Sequence, residues 1–364
     1  MRRNTPAGPD RHEEDSGATE LRPRNGMRVV PPAAARADKA GRSGIDRRMF
    51  LVSVGSLGLV QCSGQRAPGR SPAPVSFDQR DGVVAVAIEG KPFTAFHYGE
   101  DWDKPFLHPV RDIMGTKISR GFPLEIIEGE SNDHRWHRGI IYGHGLINGF
   151  DFWREKGGHG RIVAKAPPRW SAKDGKGSIV CELALQPPEG EPVGSLREEF
   201  TFLEQGTNRI IDARITILAD EGVDVTMGDT EDGGFTFRFR DEFREDRGAT
   251  LLNSDGLTGT KNIWGKRARW VDYSAVVEGR KVGAAIFDHP ENPRHPTYWH
   301  ARGYALCAAN PFGLREFLGD DTQDGSMTIP AGKRAVFRYR VVIHQGDAGE
   351  ADVERLYSEY AGRV

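Results

Sequence analysis

The sequence predicts an all-β protein, an antiparallel β-sandwich with a single C-terminal helix. About a dozen short segments either alternate between apolar and polar residues or form continuous β-branched and aromatic runs. Glycine is frequent, at 45 of 364 residues, and separates these segments at short intervals. Near the C-terminus, residues 350–360 place apolar side chains at helical spacing, which predicts the helix.

The predicted strands begin at residue 83. Residues 83–88 and 93–98 flank Glu89-Gly-Lys-Pro92, which is typical of a hairpin. Residues 235–240 alternate strictly, so one set of their side chains should face a core and the other should face solvent. The other predicted strands lie at residues 122–127, 161–166, 178–185, 196–203, 209–218, 270–277, 282–287, 304–309 and 334–343.

The chain before the predicted domain carries three different signals. Residues 1–45 are rich in Arg, Pro, Ala and Gly with almost no aromatic residue, which predicts a disordered extension. Residues 46–62 resemble a twin-arginine export signal, because paired arginines precede an apolar run. A buried strand or short helix is the alternative for this segment. Residues 63–74 are polar and Pro-rich, so we expect a linker there and a single folded domain at 75–364.

This signal predicts export to the periplasm or cell envelope. Cys62 follows Leu-Val-Gln and is a candidate for a lipid anchor. The remaining cysteines, Cys181 and Cys307, do not make a disulfide framework. The formal net charge of −2 gives no overall attraction to nucleic acid, and no apolar run is long enough for a membrane-spanning helix.

Two segments crowded with histidine carry the candidate chemistry. They lie at residues 133–144 and 288–300, and their histidines are His134, His137, His144, His289, His295 and His300. Both segments are rich in Gly, Pro, Asn and Asp, so we expect loops. Loops with this many His, Arg and Trp side chains are costly to order unless they make specific contacts. We therefore expect both segments to meet at one pocket of the β-scaffold.

The first segment is also a candidate metal site. His134 and His137 are three residues apart, as in many metal-binding loops, and His144 would join them if the chain between forms a short strand. A carboxylate such as Asp133 would complete or orient the set, so a divalent metal ion is an expected cofactor. The alternative is that these histidines only anchor the loops through hydrogen bonds, since no HExxH or paired CxxC pattern is present.

The predicted catalytic residues are His134, His137, His300 and Asp232. Asp232 directly precedes the alternating segment 235–240 and would act as general base or ligand, with a turn-forming Asp-Gly as the alternative. The predicted substrate-binding residues, which supply planar donors, flat aromatic faces and further polar groups, are Arg138, Arg294, Trp136, Trp299, His289 and Asn310. Polar donors beside aromatic faces suit sugars, so the expected partner is a small carbohydrate.

Several of these segments resemble a bacterial family labelled PmoA-like, or methane oxygenase PmoA, which is also described as a domain of unknown function. The residues that carry the resemblance are Asp133-His134 with His137-Arg138-Gly139, Gly143-His144-Gly145, Asp151-Phe152-Trp153, Gly228-Asp-Thr, Trp264-Gly-Lys-Arg, Asp288-His-Pro, Trp299-His300 and Asn310-Pro-Phe-Gly313. The resemblance implies a mutarotase-like supersandwich that acts on carbohydrate.

Three functions follow as expectations. The first is an exported carbohydrate-active enzyme, a lyase, hydrolase or isomerase, acting on a sugar or keto-sugar. The second is a non-catalytic carbohydrate-binding module that uses the same face. The third is the metal-dependent oxygenase that the family label suggests, which would need two histidines and one carboxylate as ligands.

Overall fold

The computed structural model describes residues 74–362. The predicted extension at 1–45, export signal at 46–62 and linker at 63–74 lie outside the described residues, except for Pro74. No helix among the described residues is both long and apolar enough to cross a membrane.

Strands dominate the described part of the chain. In chain order they are β1 (Val75–Arg80), β2 (Val83–Ile88), β3 (Lys91–His97), β4 (Phe106–Leu107), β5 (Ile140–His144), β6 (Arg161–Ala164), β7 (Arg169–Lys173), β8 (Lys176–Gln186), β9 (Ser195–Gln205), β10 (Asn208–Leu218), β11 (Val225–Met227), β12 (Gly233–Arg238), β13 (Thr250–Asn253), β14 (Trp270–Val277), β15 (Arg280–Asp288), β16 (Trp299–Arg302), β17 (Leu306–Ala309), β18 (Met327–Ile329) and β19 (Arg334–Gln345). The helices are α1 (Thr260–Ile263), α2 (Leu314–Leu318) and α3 (Val353–Ala361), with 3₁₀ turns at Asp241–Phe243 and Glu245–Arg247.

These strands form two large antiparallel sheets, as the sequence predicts. The eight-stranded sheet has the order β1-β2-β3-β4-β5-β12-β17-β16. The nine-stranded sheet has the order β13-β14-β15-β19-β10-β9-β8-β6, with β7 also paired to β8. β11 and β18 form a separate two-stranded pair. The prediction of an antiparallel β-sandwich is therefore confirmed.

The main core lies between the two sheets. Phe235 of β12 stacks on Tyr339 of β19, with ring centroids 4.9 Å apart. Helix α3 covers the opposite face of the nine-stranded sheet, where Tyr357 and Tyr360 pack on Phe287. The predicted C-terminal helix is thus present, and it begins at Val353 rather than at residue 350.

Strand β12 is buried on both faces, which differs from the expectation for residues 235–240. Phe235 and Phe237 point into the main core, as the alternation predicts. Thr236 and Arg238 point to the opposite face, yet both are 0% exposed. Loops cover that face, so it is where polar side chains are buried without entering the main core.

The predicted strand at residues 122–127 is wrong, because this segment forms turns and loop. Its apolar residues match β propensity, but Pro123 has no N–H for a strand ladder. The N–H groups of Gly121 and Phe122 instead donate to the Glu130 carboxylate, and the Ile126 side chain is exposed.

Candidate functional site

The floor of the candidate site is the face of the eight-stranded sheet that points away from the main core. Thr236 of β12, Ala308 of β17 and His300 of β16 lie side by side in register. Arg238 and Arg302 lie two positions along their strands and therefore project from the same face. This face presents one imidazole and two guanidinium groups above small neighbours.

The segment 131–139 crosses this face and is held by a buried arginine. Arg120 is 0% exposed, and its Nη2 donates to the carbonyl oxygens of His134 at 2.9 Å and His137 at 3.1 Å. Gly139 then leads into β5 with a φ of +47°. A Cβ at this position would collide with the carbonyl oxygen of Leu107, so only glycine fits this approach.

His137 lies at the centre of the site without a protein partner. Its ring stacks on His134, with centroids 5.0 Å apart, and packs against Trp153 at 5.1 Å. The side chain is 2% exposed, and neither ring nitrogen has a hydrogen-bond partner among residues 74–362. Burial first, and then the charge of Arg238, hold the pKa of His137 well below its ordinary value. The imidazole is therefore neutral at neutral pH.

Arg238 supplies further unpaired donors beside His137. Its Nη2 donates to Asp133 at 2.9 Å and to Ser131 Oγ at 3.2 Å. Its Nε and Nη1 have no partner in the described part of the chain. The guanidinium lies 4.7 Å from the ring centroid of Tyr304, and burial raises the pKa of that phenol to about 12. Arg238 therefore directs positive charge toward His137.

Asp133 balances this charge from the solvent side. It receives Arg120 Nη1 at 2.5 Å as well as Arg238, and His134 Nδ1 lies 3.0 Å from its other oxygen. Although partial burial works in the opposite direction, these contacts hold the pKa of Asp133 well below its usual range. Asp133 is thus a permanent anion.

Two neighbouring carboxylates form the acidic side of the site. Glu231 Oε2 lies 3.4 Å from His300 Nδ1, and Asp232 forms an ion pair with Arg154. Although burial opposes it, the contact with His300 lowers the pKa of Glu231. Burial dominates at Asp232 and raises its pKa. Two adjacent acids with opposite shifts are suited to different roles in proton transfer.

The two histidine-rich segments meet in part. His134, His137 and Trp136 come from the first segment, and the rings of His134 and His137 lie 5.3 and 5.8 Å from Trp136. His300 comes from the second segment, and its charge contributes to the lowered pKa of His137. Asp232 joins them, because the charge of His300 also acts on its carboxylate.

Two predicted substrate-binding arginines are bonded to other parts of the protein. Arg138 donates through both terminal nitrogens to Glu155. Arg294 donates to the carbonyl oxygens of Pro311, Gly325 and Ser326. The terminal nitrogens of Arg138 and Arg294 are therefore bonded to the protein itself, and of the Arg138 donors only Nε has no partner among the described residues.

Three further residues that were predicted to bind substrate contact other parts of the protein. Trp299 is 0% exposed in the main core, and its Nε1 donates to the Ala268 carbonyl oxygen. His289 packs against Tyr360 of α3, on the other sheet. Asn310 Nδ2 donates to the carbonyl oxygens of Thr230 and Glu231, both at 2.9 Å. Asn310 therefore holds the acidic loop in place rather than facing a ligand.

The three predicted metal ligands do not come together. His144 Nε2 lies 2.7 Å from the Gly228 carbonyl oxygen, and burial lowers the pKa of His144 to about 4. Within residues 74–362, no group of three or more His, Cys, Asp or Glu side chains has an arrangement that could hold a metal ion. The residues predicted to bind a divalent metal therefore do not fit one.

A family match covers most of this fold, at residues 83–358. The chain belongs to DUF6807, a family of unknown function. The resemblance to a PmoA-like family was therefore wrong, and with it the methane oxygenase label and the oxygenase reading that depended on that label. No curated protein matches the DUF6807 chain in sequence.

Solved structures that are similar to this DUF6807 protein include sugar-acting enzymes at low similarity. Heparan sulfate lyase HepC from Pedobacter heparinus has 7% identity and a TM-score of 0.34, over 78% of this chain and 38% of the lyase. This chain thus spans well under half of that lyase. A galactose mutarotase-like protein from Clostridium acetobutylicum has 8% identity and a TM-score of 0.35, over 76% of this chain and 99% of its own. A galactose mutarotase related enzyme from Lactobacillus acidophilus has 9% identity and a TM-score of 0.31, over 74% and 97% of the two chains.

Sequence reasoning missed Arg120, Arg238, Glu231 and Tyr304 as residues of the site. Arg238 stands in a strictly alternating strand, where a charged side chain indicates solvent. Burial of the outer face of this strand explains the position of Arg238, but the alternation of residues does not reveal that burial. Glu231 precedes Asp232 directly, and Tyr304 follows β16, so their proximity to known candidates was the only local signal.

Proposed function

We propose that this DUF6807 protein is a carbohydrate-active enzyme, a lyase, hydrolase or isomerase, that acts on a sugar or keto-sugar. One observation carries the proposal. His137 is buried and neutral, and neither of its ring nitrogens has a hydrogen-bond partner in the part of the chain that the structure describes. Buried polar groups are normally paired, so a side chain of this kind indicates a group that interacts with a ligand.

The chemistry that this arrangement supports is proton transfer next to a carbonyl group. A keto group makes the adjacent C–H acidic. His137 would accept that proton, the electron pair of the C–H bond would form a carbon–carbon double bond, and the π pair of the carbonyl group would move to its oxygen to give an enolate. The unpaired N–H groups of Arg238 would stabilise the negative charge that develops on a substrate oxygen.

The acidic side would supply the returning proton. Burial raises the pKa of Asp232, so this carboxyl keeps a proton to higher pH than an ordinary aspartate. It would donate the proton to a leaving oxygen or to carbon. Glu231 stays ionised and would orient His300, since their side chains lie 3.4 Å apart.

The test is a screen of glycosides and keto-glycosides with the purified protein and three variants. We expect turnover by the wild type and at least a ~100-fold loss in His137→Gln and His300→Gln. His289→Gln is the matched control, because this histidine packs against Tyr360 on the other sheet. Binding without turnover would favour the non-catalytic carbohydrate-binding module. Neither binding nor turnover with any sugar would overturn the proposal.

We also propose that the protein reaches the periplasm or cell envelope through the twin-arginine pathway. The order of paired arginines, apolar run and Pro-rich stretch in residues 46–74 supports this. Arg47→Lys combined with Arg48→Lys should trap the precursor in the cytoplasm. Cys62→Ser should release any lipid-anchored fraction from membranes. Normal export of the double-lysine variant would contradict the pathway.

A further inference from the structure

The site contains a surplus of buried positive charge. Arg120 and Arg238 are both 0% exposed, and the same oxygen of Asp133 accepts from both guanidiniums. Two cations therefore share one carboxylate. A guanidinium stays protonated in proteins, so neither arginine can remove the surplus by losing its proton.

Neighbouring acids do not complete the pairing. Glu130 accepts from the backbone N–H groups of Gly121 and Phe122. Asp241 accepts from Ser131 and lies 3.1 Å from Arg247. Neither carboxylate accepts a hydrogen bond from Arg120 or Arg238 within residues 74–362; Glu130 acts on Arg120 and Asp241 on Arg238 only through longer-range charge. Direct pairing of the two guanidiniums therefore depends on Asp133 alone in this part of the chain.

The unpaired donors identify where a compensating anion would bind. Arg238 Nε and Nη1 and Arg120 Nε have no protein partner in the described residues. Nε carries one N–H bond and Nη1 carries two, so Arg238 alone offers three donors. His137 lies beside them with two unpartnered nitrogens. Buried charge without a partner is costly, and a bound anion would remove that cost.

We propose that the substrate is a sugar that already carries one negative charge, a carboxylate or a sulfate ester, and that this group binds Arg238 beside His137. This inference rests on the proposed function and deepens it. The proposed reaction needs negative charge only as it develops on a substrate oxygen, whereas the resting site already contains two buried guanidiniums that share one hydrogen-bonded carboxylate. A monoanion would give each guanidinium one directly bonded anion, while a phosphate monoester carries closer to two charges.

Matched pairs of sugars test the inference. Binding of methyl glucuronoside, glucose 6-sulfate, glucose 6-phosphate and methyl glucoside is measured by calorimetry at low and high salt. We expect the glucuronoside or the sulfate to bind about 10- to 100-fold more tightly than the neutral glucoside. The better of the two identifies the source of the charge, and the advantage should shrink at high salt.

Variants locate the preference. Arg238→Met should abolish the advantage of the charged sugar, and Arg238→Lys should retain part of it. Arg214→Met is the matched control, because this half-exposed arginine lies on β10 of the other sheet. If Arg238→Met fails to fold, the wild type alone decides through the rise in Tm caused by each sugar.

The outcomes separate the two proposals. Equal affinity for charged and neutral sugars, or a preference that persists in Arg238→Met, would overturn this inference and leave the proposed function standing. A preference for the phosphate over both monoanions would overturn it too. Absence of binding by all four sugars and by the keto-glycosides would remove the proposed function, and this inference with it.

Discussion

Two clusters of buried charge contain adjacent residues of the chain, His137 and Arg138, and differ in how completely they are paired. In the paired cluster, which comprises Lys104, Arg138 and Glu155, both cations donate to one carboxylate, and only Arg138 Nε has no partner among the described residues. In the open cluster, which comprises Arg120, Asp133, His137 and Arg238, five nitrogen atoms have no partner in the same part of the chain.

Both clusters place two cations against one carboxylate. Burial lowers the pKa of Lys104 to about 8 and that of Arg120 to about 10, so both groups are mainly protonated at neutral pH. The comparison teaches that buried charge alone does not identify a candidate site. What separates the two clusters is the number of nitrogen atoms left without a partner within residues 74–362.

The largest expected effect concerns the paired cluster. Arg138→Met should lower the free energy of unfolding by about 2–4 kcal/mol, because Glu155 would lose both hydrogen bonds from Arg138 and keep only the one from Lys104. Urea unfolding measures this. Arg214→Met, at a half-exposed pair, should change the value by less than about 1 kcal/mol. A small change for Arg138→Met would show that the pair is not structural.

The open cluster should respond in the opposite direction. His137→Leu should raise the free energy of unfolding by about 1–3 kcal/mol, since it replaces a buried polar ring that has no protein partner. The same variant should lose turnover. His344→Leu is the control, because His344 is equally buried but lies 2.7 Å from Asp272, and its loss should destabilise the protein. Destabilisation by His137→Leu would show that His137 has a structural role.

A third buried group tests whether an unpaired atom is enough to mark a site. Glu198 lies in the main core with Oε1 unpartnered in the described residues, and burial raises its pKa from 4.5 to about 8. The folded state therefore keeps a proton that the unfolded state has lost. The free energy of unfolding should fall as pH rises from about 5 to about 8, by at most about 1.4 kcal/mol per pH unit.

Glu198→Gln should flatten this pH dependence, as followed by urea unfolding across that range, and leave turnover unchanged. Reduced turnover in a variant with an unaltered fold would show that an unpaired atom in the core affects activity as well, contrary to the distinction between the core and the open cluster. An unchanged slope would mean that Glu198 does not titrate between these pH values.

The smallest expected effect concerns the acidic side. Arg154→Met should raise the pKa of Asp232 further, because the charge of Arg154 opposes the effect of burial. Carboxyl-carbon NMR on a sample labelled at aspartate follows the titration. Arg154→Lys keeps the charge and should leave the pKa nearer to the wild-type value. A pKa that falls in Arg154→Met would refute the ion pair.

Local pattern predicted much of the fold because strand alternation is a local property. The predicted strands at residues 83–88 and 270–277 coincide with β2 and β14. The segment 122–127 failed because its apolar content outweighed the missing N–H of Pro123. At this segment, the backbone of one proline therefore outweighed the apolar composition.

The site was less predictable because its partners are distant in sequence. Arg138 and His137 are adjacent in the same motif, yet only Arg138 donates hydrogen bonds to Glu155. Arg294 likewise serves carbonyl oxygens of residues 311–326. Composition pointed to the histidine-rich segments as candidates for chemistry, which stays a prediction, but it could not show which donors the fold itself would use.

The contact from Asn310 to the loop that carries Glu231 and Asp232 has a wider consequence. Both acids lie on one stretch of backbone, where the Asn310 amide donates to the carbonyl oxygens of residues 230 and 231 and the Gly145 N–H donates to that of Asp232. Loss of the Asn310 amide would therefore shift both carboxylates relative to His300 while they remain adjacent to each other.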